Sequence, residues 1–193
     1  LECEDYLNDK VDPREVSDYA MRRIDVEADE LQRFASSGQL KVEDGRCKDV
    51  VLNQYALLQV DANVKQTIPA RLDSNGVFVR LAIPGALHIP DGNSLKPLNL
   101  GQKCLIDALL NPDISLVTCY GQAGTGKTLV AIAAGLNEVC GRRYNGLTVS
   151  RPVVSMGDQL GYLPGSLDEK MRPWLQPIYD ALDLLTTPPV SKG

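Results

Sequence analysis

The chain has 193 residues, 44% hydrophobic and 23% charged, with a net charge of −5; this is the composition of a globular protein, not of a disordered one. No apolar run approaches the ~20 residues of a membrane span, and the start, Leu1-Glu2-Cys3-Glu4-Asp5, has neither the basic nor the apolar region of a secretory signal. Residues 1–95 carry 11 Lys+Arg against 17 Asp+Glu and residues 96–193 carry 9 against 8, so no global basic patch is available to hold nucleic acid.

Taken in order, residues 1–48 read as mostly polar and helical. Asp12-Pro13 supplies an N-cap and a proline at the first helical position. Val16, Tyr19, Ala20 and Arg23-Ile24 form a short apolar stripe, and residues 27–37 form a second helix with Leu31 and Phe34 on one face and Gly38 as its stop. Residues 49–95 change character. Val50-Val51-Leu52, residues 55–60 and residues 77–81 are strand-like, and Asp73-Ser74-Asn75-Gly76 is a hairpin signal after Ala70-Arg71-Leu72. A small antiparallel β unit is expected there, followed by a Pro/Gly-punctuated connector.

Residues 96–193 read as α/β. Asn99 caps a helix to about Leu110, ended by Asn111-Pro112. Residues 114–120 suit a buried parallel strand, residues 127–140 a helix closed by Gly141, and residues 147–150 the next strand. Ser166-x-x-Glu169 is a capping-box signature for a helix toward Leu185, with Pro173 and Pro177 predicting a kink or a break inside it. Five cysteines are odd in number, scattered and without a C-x-x-C pair. Buried reduced thiols in a cytoplasmic protein are expected, rather than disulfides or a zinc site. His88 is the one histidine and reads as a packing or surface residue.

The chemistry lies in Gly121-Gln122-Ala123-Gly124-Thr125-Gly126-Lys127-Thr128, which fits G-x-x-x-x-G-K-[ST] between an apolar run and an apolar helix. Glycines let successive backbone N–H groups turn toward one anion, and the helix N-terminus adds partial positive charge and free donors. Lys127 reaches the β- and γ-phosphates, and the Thr128 hydroxyl suits Mg²⁺. These residues predict ATP and Mg²⁺ as ligands, with Lys127 and Thr128 in the catalytic role. Gln102, within Asn99-Leu100-Gly101-Gln102, is the candidate adenine reader, since an amide matches both donor and acceptor edges. GTP is the weaker candidate because no N-K-x-D signature appears.

This loop resembles that of the PhoH-like family of P-loop ATPases, which are related to superfamily-one helicases. So do Leu147-Thr148-Val149-Ser150-Arg151-Pro152-Val153-Val154, Gly161-Tyr162-Leu163-Pro164-Gly165, and Glu169-Lys170-Met171-x-Pro173-Trp174-x-Gln176-Pro177-Ile178-Tyr179-Asp180. Asn99-Leu100-Gly101-Gln102 is similar to the family's upstream glutamine motif. Glu4-Asp5-Tyr6-x-Asn8-Asp9-Lys10-Val11 and Asn53-x-Tyr55-Ala56-Leu57-Leu58 resemble the join between the PIN nuclease and PhoH domains of two-domain members. The resemblance implies a longer parent that couples ATP hydrolysis to RNA unwinding and degradation as a homo-oligomeric ring, with no membrane partner. The leading Leu1 likewise points to a chain that begins inside a longer protein. No PIN acidic residue is assignable.

One departure stands out. No apolar strand ending in Asp-Glu follows Thr128; Asp168-Glu169 reads as a helix start, and Asp180 and Asp183 fall in a helical pattern. The expected fold is therefore a truncated P-loop parallel sheet (residues 96–193), preceded by a small antiparallel β unit (49–95) and N-terminal helices (1–48). The alternatives are a nucleotide-binding or scaffold module that never hydrolyses, and a P-loop phosphotransferase. Arg151 reads equally as an RNA contact, a neighbour of bound nucleotide or a solvated residue; Arg142 and Arg143 read as dipole partners of the preceding helix, and Trp174 with Tyr179 as core anchors or base-stacking residues.

Overall fold

The computed structural model describes residues 21–42, 45–46, 50–60, 66–151 and 167–188, with the side chains of residues 167–174 left out. The expected helix from Asp12-Pro13 lies outside these residues, as do Cys3 and Cys47. The chain divides into two compact units, Leu1–Leu81 and Ala82–Gly193. The division follows Leu81, whereas the sequence suggested breaks at 48/49 and 95/96.

Among its described residues the first unit holds a mixed sheet and a helix: β1 Arg22–Asp25, α1 Ala28–Ser37, β2 Gln39–Leu40, β3 Tyr55–Gln59, β4 Thr67–Leu72 and β5 Phe78–Arg80. Strand order is β1-β3-β4-β5-β2, with β1 parallel to β3 and the other pairs antiparallel. Ile24, Ala56, Leu58, Ala70 and Phe78 share a core with Leu31 and Phe34 of α1. Arg22–Asp25 thus corrects the helical reading of residues 1–48. Its single apolar residue, Ile24, pairs with Leu58, and that lateral pairing outweighs the weak helical spacing. The helix over 27–37 is present, and Gly38 stops it in the left-handed conformation (φ 75°), its N–H donating to Phe34 O at 2.8 Å.

The hairpin forms where the sequence predicts it. Asp73 Oδ1 accepts from the N–H groups of Asn75 and Val77, each at 2.9 Å, and holds the turn. These bonds favour the charged form and lower the Asp73 pKa. The expected strand Val50-Val51-Leu52 does not form; only Asn53 and Gln54 reach the sheet, Asn53 N–H donating to Leu72 O (2.9 Å) and Gln54 O accepting from Leu72 N–H (3.0 Å). Pro69 lies past the end of β5, which pairs only with Ala70, Arg71 and Leu72, so a residue without an N–H stands where β4 has one neighbour.

The second unit contains α2 Leu100–Leu110, α3 Lys127–Cys140 and α4 Leu167–Thr186. Asn99 caps α2 as expected, its Oδ1 accepting from Gln102 N–H at 2.9 Å. Ile106, Val130, Ile132, Ala133, Ala134, Ala181 and Leu185 pack with Leu87 and Ile89 into a second core. Asp107 is buried, and its Oδ1 accepts from Ala82 N–H at 2.6 Å, pinning the start of the unit to α2. Gly92 and Asn93 close the far end of α4. Asn93 Nδ2 donates to Leu184 O (2.7 Å) and Thr187 O (3.0 Å), and a Cβ on Gly92 would lie 2.2 Å from Leu185 O.

Two expectations change here. Residues 114–120 and 147–150 carry no strand ladder, and Leu116 and Tyr120 are 80% and 89% exposed. A parallel strand needs lateral neighbours for its N–H and C=O groups, and among the described residues of this unit no strand supplies them. The α4 helix, in turn, runs through Pro173 and Pro177 without a break. Ala181 and Leu185 anchor it in the core, which offsets the hydrogen bond that Pro177 cannot donate. The capping-box Ser166 and the Glu169 side chain lie outside the described residues.

Candidate functional site

The loop of residues 121–128 runs into the first turn of α3. Gly124 (φ 77°) and Gly126 (φ 82°) both take the left-handed conformation that disfavours any side chain. Gly126 is doubly constrained, because a Cβ there would also meet Gln102 Nε2 at 3.1 Å. The first bond of the helix runs from Val130 N–H to Gly126 O at 2.9 Å. The N–H groups of Lys127, Thr128 and Leu129 therefore have no acceptor within the helix and face outward at its positive end.

Lys127 Nζ curls back over the loop. It donates to Gly121 O (2.8 Å), Gln122 O (2.5 Å) and Thr125 Oγ1 (3.2 Å), matching the three donors of an ammonium. The charge is thus held directly above the loop. Thr125 Oγ1 itself donates to Gln122 O at 2.9 Å, tightening the turn.

Gln102 reaches the same loop from α2. Its Nε2 donates to Thr125 O at 3.2 Å, and its Oε1 accepts from Leu98 N–H at 2.7 Å. One N–H and one lone pair of the amide remain for a further partner. Beside it lies a pocket of about 290 Å³ lined by Gly101, Gln102, Leu105, Cys119 and Tyr120.

On the other side of the loop a wider cavity, about 810 Å³, is bounded by residues 123–129, by Val149, Ser150 and Arg151, and by Pro177, Asp180 and Leu184 of α4. An ammonium, a helix N-terminus and the exposed Thr128 hydroxyl converge on this space; they are the donors for a multiply charged anion and a hard cation. The structure thus brings together the loop, Gln102 and Arg151.

It also adds Asp180, which the sequence reading set aside as part of a helical pattern. Ile178, Ala181, Leu182 and Leu185 pack toward the core, a spacing visible in the sequence that leaves Pro177, Asp180 and Leu184 on the flank facing the loop. Tyr179 is 45% exposed, so it is not a core anchor, and the Trp174 side chain is not among those described.

At the far end of α3, Arg143 makes a two-point ion pair with buried Glu138, rather than serving only as a partner of the helix dipole. The Arg143 guanidinium holds the Glu138 carboxyl below its ordinary pKa, and the Glu138 carboxylate in turn raises that of Arg143. Asn137 donates to Glu138 Oε1 (3.2 Å) and accepts from His88 N–H (3.1 Å). His88 is thereby a tie between the connector and α3.

Cys104 is buried while Cys119 and Cys140 are exposed, so the expectation of buried thiols holds for Cys104 alone among the described cysteines. Burial, with the nearby Asp107 charge, pushes the Cys104 thiol up to about 12. Among the described residues no His, Cys, Asp and Glu cluster could hold a metal, and no helix is long and apolar enough to cross a membrane.

The family profile described as PhoH-like protein matches residues 94–190. The chain belongs to the PhoH family. It is 35% identical over 187 residues to Protein PhoH2 of Bacillus subtilis, an alignment covering 96% of this chain and 41% of that protein. Over 91 residues it is 45% identical to Protein PhoH2 of Thermobispora bispora, covering 46% of this chain and 21% of that protein. Over a further 91-residue alignment it is 38% identical to the PhoH-like protein of Bacillus subtilis, covering 47% of this chain and 28% of that one. The chain therefore spans less than half the length of these curated relatives. No solved structure matches it.

Proposed function

We propose that this chain is the nucleotide-binding part of a PhoH ATPase, taking ATP with Mg²⁺ at residues 121–128. The observation that carries this reading is Lys127: its ammonium is gripped by three loop oxygens at the positive end of α3. The backbone of Ala123, Gly124, Thr125, Gly126 and Lys127 cradles phosphate, within the binding loop that begins at Gly121 and Gln122. Lys127 stabilises charge on the β- and γ-phosphates, and Arg151 adds a second cation on the same cavity. The exposed Thr128 hydroxyl is the group that holds Mg²⁺, which when bound neutralises phosphate charge. Gln102 keeps one donor and one acceptor for the adenine edge, and the pocket beside it receives the base. In a longer parent protein this nucleotide site would serve RNA unwinding within a cytoplasmic homo-oligomeric ring.

Equilibrium binding of a fluorescent ATP analogue tests the reading. Lys127→Ala is expected to weaken binding at least about tenfold, the order of one charge-assisted hydrogen bond, with the fold intact by circular dichroism. Gln102→Ala is expected to erase the preference for ATP over GTP. Unchanged analogue binding by Lys127→Ala would overturn the assignment. A second reading, binding without hydrolysis in this chain, is favoured by the cavity's single carboxylate among its described residues, which comes from a helix rather than a strand end. Separate assays of binding and turnover decide between the two.

A further inference from the structure

The loop residues supply positive charge and one hydroxyl, but a Mg²⁺ ion asks for more oxygen. It favours six oxygen ligands and is commonly bound through one or two carboxylates together with substrate phosphates. Among the described residues lining the 810 Å³ cavity, Asp180 is the only carboxylate. Its position follows from packing. Ala181 and Leu185 are buried at 7% and 1% exposure and fix the rotation of α4. Asp180, one residue before Ala181, is then carried on the cavity flank with Pro177 and Leu184. The side chain is exposed, and Gln176 Nε2 donates to its Oδ1 at 2.6 Å, orienting the carboxylate from one turn back on the helix. Among the described residues Oδ2 accepts no such bond.

Asp180 shares this cavity with Lys127 and Arg151, and a divalent cation placed between its carboxylate and a bound polyanion would offset the repulsion of the two negative groups. We propose that Asp180 is a metal-holding residue of this site, contributing its carboxylate, directly or through metal-bound water, to the divalent cation that accompanies the nucleotide on the Thr128 side. This rests on the reading of residues 121–128 as an ATP and Mg²⁺ site. It adds a ligand from a helix, α4, whereas ATP hydrolysis usually draws such a carboxylate from a strand end.

Asp180→Asn tests it cleanly, because the amide oxygen can still accept from Gln176 while the charge is gone. Mn²⁺ is titrated by electron paramagnetic resonance in the presence of ATP, and ATP-analogue binding is measured in parallel with the divalent ions chelated. The expected result is a loss of roughly tenfold in Mn²⁺ affinity for Asp180→Asn, a partial recovery in Asp180→Glu, and metal-free analogue binding no weaker than that of the wild type. Unchanged Mn²⁺ affinity overturns the proposal. So does an equal loss of metal-free analogue binding, which would mean that Asp180 shapes the cavity instead. If the wild-type chain binds the analogue under neither condition, the ATP reading itself falls, a result distinct from both.

Discussion

Tyr55–Gln59 and residues 114–120 are both short apolar runs, yet they end in opposite states. The first is strand β3, with β1 on one side and β4 on the other, and its Leu58 is fully buried. The second has no ladder partner among the described residues and leaves Leu116 80% exposed. Apolar composition is therefore necessary for a buried strand but does not make one; lateral neighbours do.

The largest effect that sharpens this contrast is Leu58→Ala, which should cost about 2–5 kcal/mol of stability in the first unit, read by urea denaturation. Leu116→Ala should cost less than about 0.5 kcal/mol; a cost rivalling that of Leu58→Ala would mean that residues 114–120 are packed after all. Next comes Gly92→Ala, whose Cβ would lie 2.2 Å from Leu185 O. Displacing the end of α4 should cost about 1–3 kcal/mol and speed hydrogen exchange there, while β3 is unaffected. Asn99→Ala, which removes the α2 cap, should cost about 1 kcal/mol.

The smallest contrast is in pH. Glu138 beside Arg143, and Glu30 hydrogen-bonded at 2.9 and 3.0 Å by Arg46, both have pKa values below the ordinary 4.5. A lowered native value means that the stabilisation is present above pH 4.5 and is lost as pH falls through the native value. The penalty of Glu138→Gln should accordingly shrink between pH 7 and pH 3. A penalty constant over that range would remove the ion pair from the account.

What the sequence made legible was what short-range chemistry decides. Asp73-Ser74-Asn75-Gly76 closes its turn with its own carboxylate, Asn99 caps α2, Gly38 ends α1, and the glycines of 121–126 set the loop. Arg22–Asp25 was hidden because one apolar residue, Ile24, gives no period; its strand identity comes from β3, more than thirty residues away in sequence. The unbroken α4 was hidden because Ala181 and Leu185 act through tertiary contact against a local rule about proline. Asp180 could have been found by drawing the apolar stripe through Ile178, Ala181, Leu182 and Leu185 and asking what its flank carries. The tie of Gln102 to Thr125 could not, since only the fold brings α2 to the loop.

Hydrogen exchange of the whole chain, with and without Mg²⁺ and ATP, tests the central claim most directly, because the cradle is made of backbone amides. The account predicts slowed exchange in residues 121–129 on adding the nucleotide, with β3 and β4 unchanged. Exchange in 121–129 that ignores the nucleotide would contradict it.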